Sequence, residues 1–250
     1  MEYFNPKELK NNREIIKKRL SGYSGPTIRH KSGIGILESY YRRLLSPSVK
    51  RFEAKILDCG TAGGGFVKDL REAGFGNLYG LDIDEYLPRE RRDLLKEFKT
   101  ADLSFEPIPW PDDTFNIVTA WCVLPHLENP HNFVREVHRV LRSGGIYIIS
   151  LVNIISWPNR KHFLTRKEFP SYHAHNNHIT LFTPAIFKKT VLKYFDLMGT
   201  EYFITPRIFY GVKGRIRKVL MDVCFMLNSS LGRALKARWG AKVVYILRKK

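Results

Sequence analysis

The sequence predicts an α/β fold, a doubly wound and mostly parallel sheet, and three observations lead there. Apolar runs of strand type recur at about 55–58, 77–82, 98–102, 116–122 and 145–152, separated by stretches with helical periodicity. The first run opens into the glycine cluster Gly60-Thr-Ala-Gly-Gly-Gly65, after which Phe66 to Leu70 begin a helical pattern. The second run ends in an acid, Asp82, and another acid, Asp102, stands where the third should end. In such sheets ligands lie beyond the carboxyl ends of the strands, and Gly60, Asp82, Asp102 and Trp121 all fall at those ends.

The elements follow in order. Residues 6–20 read as a basic, modestly amphipathic helix with Pro6 in its first turn, broken by Ser21-Gly-Tyr-Ser-Gly-Pro26. A second helix is expected from about Ile34 to Leu45, with Ile34, Leu37, Tyr41 and Leu44 on one face. Ser46-Pro-Ser48 then separates it from the first strand, Ile56-Leu57. The glycines that follow let the backbone turn without Cβ clashes and lie flat against a ligand. No Gly-Lys-Ser/Thr follows, and Gly60, Gly63 and Gly65 miss the dinucleotide spacing. An acid at the tip of the second strand, here Asp82, can accept hydrogen bonds from both hydroxyls of a ribose. Together these features suggest a nucleoside-containing cofactor. Residues 153–183 read as a long polar link holding His162, His173, His175 and His178. No acid or cysteine joins these histidines at ligand spacing, so no metal is expected. Thr183 then caps a helix that starts at Pro184. Strands are expected at 201–212 and at 241–248. Between them, Ile216, Val219, Leu220, Val223, Leu227 and Leu231 keep helical spacing, with arginines and lysines crowded at the ends.

From Lys55 to Asp196 the chain resembles the class I S-adenosylmethionine-dependent methyltransferases, in particular the small-molecule "type 11" branch. Ile56-Leu-Asp-Cys-Gly-Thr-Ala-Gly-Gly64 resembles the family's glycine motif, and Tyr79-Gly-Leu-Asp-Ile-Asp84 its ribose-binding strand. Ile108-Pro-Trp-Pro-Asp-Asp-Thr-Phe-Asn116 is similar to its L-P-F-P-D-x-S-F-D stretch, and Cys122-Val-Leu-Pro-His-Leu127 to its V-L-E-H-L. Phe133 to Gly145 resembles the next helix and turn, and Asn177-His-Ile-Thr-Leu-Phe-Thr183 the H-x-R-x-F-T element. Three positions depart from the pattern: Ala62 replaces the second glycine, Pro125 a glutamate and Asn116 an aspartate. If residue 62 needs positive φ, alanine there costs about 1 kcal/mol or more.

The resemblance implies a Rossmann-like methyltransferase fold with seven strands, the last two being an antiparallel pair. It implies a basic helical cover over 1–54 and a methyltransferase domain over 55–250, with the substrate-side link at 153–183 and the helical insertion at 213–240. It implies S-adenosyl-L-methionine as cofactor, with Asp82 on the ribose and Gly60 and Gly64 under the methionine portion. Asp102 and Leu103 border the adenine, and Asp58, Ile83 and Trp121 complete the cofactor set. N-terminal helices cover the site in this family, which makes Tyr40, Tyr41, Arg42 and Arg43 candidates for that cover.

Composition bounds the rest. A chain of 250 residues, 44% of them hydrophobic, can bury a core for one domain with appendages. The three cysteines, Cys59, Cys122 and Cys224, are widely spaced in apolar surroundings and suit reduced core thiols of an intracellular protein. There is no leader and no long apolar run, so a cytoplasmic location is expected, with a peripheral place at the inner face of a membrane as its variant. The net charge is +18, with +7 in residues 1–54 (12 bases, 5 acids), +1 in 55–200 (18 and 17) and +10 in 201–250 (12 and 2). Basic flanks of this kind attract polyanions, either an anionic membrane surface or, as a lesser alternative, RNA.

For chemistry, methyl transfer needs alignment above all, and a hydroxyl acceptor also needs a base. His126, just after the fourth strand, and His178 are the catalytic candidates. The reading that follows is O-methylation of a small molecule or a lipid- or nucleotide-linked saccharide. An RNA-binding methyltransferase and a non-catalytic homologue of the same fold are the alternatives.

Overall fold

The computed structural model describes residues 28–45, 49–173, 177–203, 216, 219 and 230–250. The helix expected at 6–20 lies outside these residues, as do His175, Cys224 and most of the insertion. The sheet grows outward from Lys55–Cys59 (β1), four of whose five residues are buried. A strand hydrophobic on both faces must be covered on both, and β1 pairs in parallel with Asn77–Asp82 (β2) on one side and Phe115–Trp121 (β4) on the other. Glu97–Thr100 (β3) extends the β2 side. Leu141–Val152 (β5) pairs with β4, and the antiparallel strands Phe195–Phe203 (β6) and Lys242–Lys249 (β7) close the other edge. The order is β3-β2-β1-β4-β5-β7-β6, seven strands with the switch point between β1 and β4.

Two buried layers cover the sheet. One, with Val118, Ala120, Tyr147 and Ile149, packs under Pro130–Val140 (the fourth helix, α4, after α1 Ile28–Leu44, α2 Gly65–Glu72 and the short α3 Arg89–Arg92). The other, with Ile56, Ile117, Ile146 and Val244, packs under α1 and α2. α1 begins earlier than the expected 34–45. Its Leu37, Tyr40 and Tyr41 are core residues, while Arg42 and Arg43 are exposed. Tyr41 meets Phe75 edge-on at 5.4 Å, and a Cβ on Gly199 would lie 2.0 Å from the Tyr40 hydroxyl. These tyrosines therefore hold α1 to the sheet.

Two expectations are corrected. The sixth strand, expected at 201–212, already begins at Phe195 and is described to Phe203, residues 204–212 lying outside the described residues; aromatic and β-branched residues from 202 onward drew the expected start too far along, while Gly199 sits at a register shift where Tyr40 leaves no room for a side chain. The link at 153–183 is not all loop, because Trp157–Arg166 forms a helix (α5) with Pro158 in its first turn. Further on come Pro184–Thr190 (α6), capped by the Thr183 side chain as expected, and Ser230–Trp239 (α7).

Arg139 explains why two separated motifs go together. Its guanidinium donates to the carbonyls of Ile108 (2.8 Å) and Trp110 (2.9 Å), to Asp112 (2.7 Å) and to Glu136 (2.7 Å). Glu136 in turn accepts from Ile108 N–H. The turn at 108–113 is thus held on α4. Replacing Arg139 with Met leaves these acceptors unmatched, and a loss of about 2 kcal/mol is expected in urea unfolding; a loss within error would show the network to be incidental.

Candidate functional site

The loop after β1 is shaped by hydrogen bonds to the tip of β2. Gly60 N–H and Thr61 N–H both donate to the Leu81 carbonyl, at 2.8 and 3.2 Å. The Thr61 hydroxyl donates to the Asp58 carbonyl (2.7 Å) and accepts from Leu81 N–H (3.0 Å). Gly60 and Gly64 have φ of 72° and 70° and no space for a side chain, since a Cβ would lie 2.6 Å from Val123 and 2.5 Å from Leu87. Between them Ala62 also takes positive φ, 49°. That conformation turns Ala62 N–H onto the Asp82 carboxylate at 2.7 Å, while Ile83 N–H donates to the other oxygen at 2.8 Å. The strain at Ala62 is offset in part by a charge-assisted bond.

Asp82 is thereby held with each oxygen accepting one N–H, leaving lone pairs for further donors. Burial raises its pKa to about 6, against the two amide bonds, which lower it. Ile83 beside it is 38% exposed, an apolar surface next to a carboxylate. Ala101 N–H donates to the Asp82 carbonyl, which brings Asp102 and the buried Leu103 to the same rim. Asp102 itself caps a turn, accepting from Ser104 N–H. Asp58 is placed differently: only 3% exposed, it lies beneath the loop and accepts from the Thr119 hydroxyl at 2.6 Å. Burial pushes its pKa to about 7, with Asp82's charge adding and the Thr119 bond opposing. Trp121 lies across the site, edge-on to Phe66 (5.1 Å) and stacked on Phe203 (6.3 Å), and a Cβ on Gly33 would be 3.0 Å from its ring. So Gly33 of α1, not Tyr40 or Tyr41, faces this part of the site. Trp121 Nε1 is buried with no hydrogen-bond partner among the described residues.

Beyond the tips of β4 and β5 the two candidate histidines come together, ring centroids 4.5 Å apart. Pro125 helps to place them: its carbonyl accepts from Ile179 and Thr180 N–H, which pins the link against the end of β4. His126 Nδ1 is 3.1 Å from the Asn177 carbonyl. A carbonyl only accepts, so Nδ1 carries the proton and Nε2 the lone pair in the neutral ring. Desolvation lowers the His126 pKa, with Lys242's charge contributing. His178 falls to about 4, by burial first and then by the charge of His126. Tyr172 packs on His178 at 5.2 Å, its own pKa pushed by burial to about 12. Lys242 Nζ donates to Cys122 Sγ at 2.7 Å, and Cys122 N–H donates to the Ser150 hydroxyl. Cys122 takes φ of 59°, an uncommon value that redirects the chain out of β4.

Sequence reasoning missed Thr61, Gly33, Cys122, Ser150, Tyr172 and Lys242. A glycine on the buried face of an amphipathic helix was the available signal for Gly33. Lys242 carried none, being one base among many. Among the described residues no group of three or more His, Cys, Asp or Glu side chains is placed to hold a metal ion.

The strand order, the looped β1–α2 turn and the acid at the tip of β2 define the class. This is the fold of class I S-adenosylmethionine-dependent methyltransferases, and residues 57–149 match the model of a methyltransferase domain, type 11. Among curated proteins, a "probable S-adenosylmethionine-dependent methyltransferase" of Mycolicibacterium smegmatis is 30% identical over 120 residues, 48% of this chain and 45% of that protein. A sterol 24-C-methyltransferase of Gibberella zeae is 29% identical over 37% of this chain and 26% of its own. The chain thus spans less than half the length of these relatives. Among solved structures, a chain from a complex containing a Haloferax volcanii methyltransferase activator gives a TM-score of 0.60 at 16% identity, covering 96% of both chains. An S-adenosylmethionine-dependent methyltransferase from Mesorhizobium loti gives 0.53 at 17% identity, covering 85% of this chain and 97% of its own.

The buried carboxyl of Asp58 makes stability depend on pH. An ordinary aspartyl, as in the unfolded chain, ionises near 3.8, whereas folded Asp58 ionises near 7. Between these values the folded state holds the extra proton, so this group lowers stability as pH rises, by at most about 1.4 kcal/mol per unit. Asp58→Asn removes that cost. The stability of the variant relative to the wild type should therefore climb from pH 4 to 7 in parallel urea titrations, and a pH-independent difference would refute the buried-acid assignment.

Proposed function

We propose that the protein transfers a methyl group from S-adenosyl-L-methionine to an acceptor hydroxyl, on a small molecule or on a saccharide carried by a lipid or nucleotide. The observation that carries the cofactor half is the double-amide grip on Asp82. The residues present fit the group: Asp82 retains acceptor capacity for two ribose hydroxyls, Ile83 offers an apolar surface to the adenine, and the Gly60–Gly64 turn admits close approach of the methionine portion. Asp102 and Leu103 border the adenine in this reading, Trp121 supplies a buried donor at the loop's far side, and Asp58 supports the loop from below. Ala62 already adopts the positive φ that the turn requires, which supports a retained site over a lost one.

When bound, S-adenosylmethionine supplies a methyl group activated on a sulfonium centre. The chain's own task is then to align the acceptor, exclude water and take up one proton. His126 Nε2 is the base, because its Nδ1 is committed to the Asn177 carbonyl. His178, held neutral by its depressed pKa, supports the same pocket as a hydrogen-bond partner or second base. Lys242 places a positive charge beside both rings, where a forming oxyanion gains from it. The sterol 24-C-methyltransferase similarity shows how far acceptor chemistry ranges among relatives. Here the paired neutral histidines favour a hydroxyl.

Calorimetry tests the cofactor half. Asp82→Ala should weaken S-adenosylmethionine binding by roughly 2–4 kcal/mol, since a charged acceptor of two bonds is lost. Wild-type affinity should rise with pH through about 6, because the ionised carboxylate is the better acceptor. Equal affinity in the variant, or affinity that falls over that range, would remove Asp82 from the ribose.

A further inference from the structure

α5 leaves the carboxyl end of β5 and presents apolar side chains to solvent. Leu164 is 79% exposed, Ile155 just before the helix 51%, and Phe163 and Trp157 45% and 41%. Exposure of this kind, grouped within ten residues of one short segment, marks a contact surface and not scattered surface leucines. The same segment is strongly basic. From Ile154 to Lys167 the chain carries Arg160, Lys161, Arg166 and Lys167 and no acid. α7 lies alongside and adds Arg233, Lys236 and Arg238, again without an acid. The two helices meet at Trp157, whose ring is approached by the guanidiniums of Arg160 (5.6 Å) and Arg238 (5.8 Å). Among the described residues, no carboxylate pairs with Arg160, Lys161, Arg166, Lys167, Arg233 or Arg238.

The face is held firmly. Asn153, at the end of β5, donates its side-chain N–H groups to the carbonyls of Ala237 (2.8 Å) and Gly240 (2.9 Å), and Asn159 of α5 donates to the Asn153 carbonyl. α5, α7 and the start of β7 are thus tied at one point. That point adjoins the histidine pair, because Lys242, which contacts Cys122, pairs with Val152 in the sheet.

We propose that the α5–α7 face docks on an anionic lipid bilayer. The basic side chains of the face seek the negative headgroups, while Leu164, Ile155 and Phe163 enter the acyl boundary and Trp157 sits at headgroup level among its arginines. RNA would use the bases but leaves the exposed aliphatic side chains without a role. Docking stands independently of the methyl-transfer reading. It orients the histidine pocket toward the bilayer.

Sedimentation of the full chain with vesicles tests this. Binding is expected to vesicles of phosphatidylcholine mixed with phosphatidylglycerol at low salt, and not to phosphatidylcholine alone. The double substitution Ile155→Ser, Leu164→Ser should weaken it roughly tenfold, because two exposed apolar groups lose their burial. Lys161→Gln with Arg166→Gln should weaken it and flatten its salt dependence. Phe52→Ser, which removes an exposed apolar residue ahead of β1, should leave it unchanged. Calorimetric cofactor affinity should be the same in all four proteins, so a loss of vesicle binding cannot be mistaken for a failed cofactor site or a failure to fold. No binding to mixed vesicles, unchanged binding by the serine variant, or binding only to single-stranded RNA would overturn the proposal.

Discussion

The structure of the site depends on one carboxylate. Asp82 closes the end of β2, and its two oxygens draw in the amides of Ala62, from the glycine loop, and of Ile83, the next residue in the chain. Because Ala62 N–H must point across to β2, residue 62 is forced into the left-handed region, and the flanking Gly60 and Gly64 turn with it. Thr61 fastens the same crossing from below through Asp58 and Leu81. The loop is preorganised by the protein's own bonds, so a ligand need not pay the entropy of ordering it.

The glycine loop and the acid that it grips were legible because their parts are local. Glycines, Asp82 and the strand ends are fixed by spacing along β1, β2 and β3, and a parallel sheet brings those ends to one edge. Asp58 lies buried beneath the loop, which the sequence did not reveal, since alternation along a five-residue strand does not tell which way its acid faces. The surroundings of the histidine pair are assembled from afar. Lys242 and Cys122 are 120 residues apart, and Tyr172 reaches His178 only through the fold of the link. No periodicity marks such residues, and the meeting of His126 with His178 was foreseeable only because both lie in motif-like segments.

The missed elements have physical causes as well. α5 is short and polar in composition, so its apolar residues, which face solvent, gave no amphipathic pattern directed at a core. The start of β6 was misjudged because Asp196 and Gly199 weigh against a strand, yet pairing with β7 overrides local preference. In both cases tertiary contacts decided what local sequence left open.

The central claim is that a half-buried Asp82 carboxylate, titrating near 6, holds the glycine loop through Ala62. The amide resonance of Ala62, followed by NMR across pH in the ligand-free protein, reads that bond directly. The account predicts a large shift of this amide with a midpoint near 6, shared by Ile83 and abolished in Asp82→Asn. An Ala62 amide that is flat across the range, or that follows an ordinary carboxylate near 4, would contradict it.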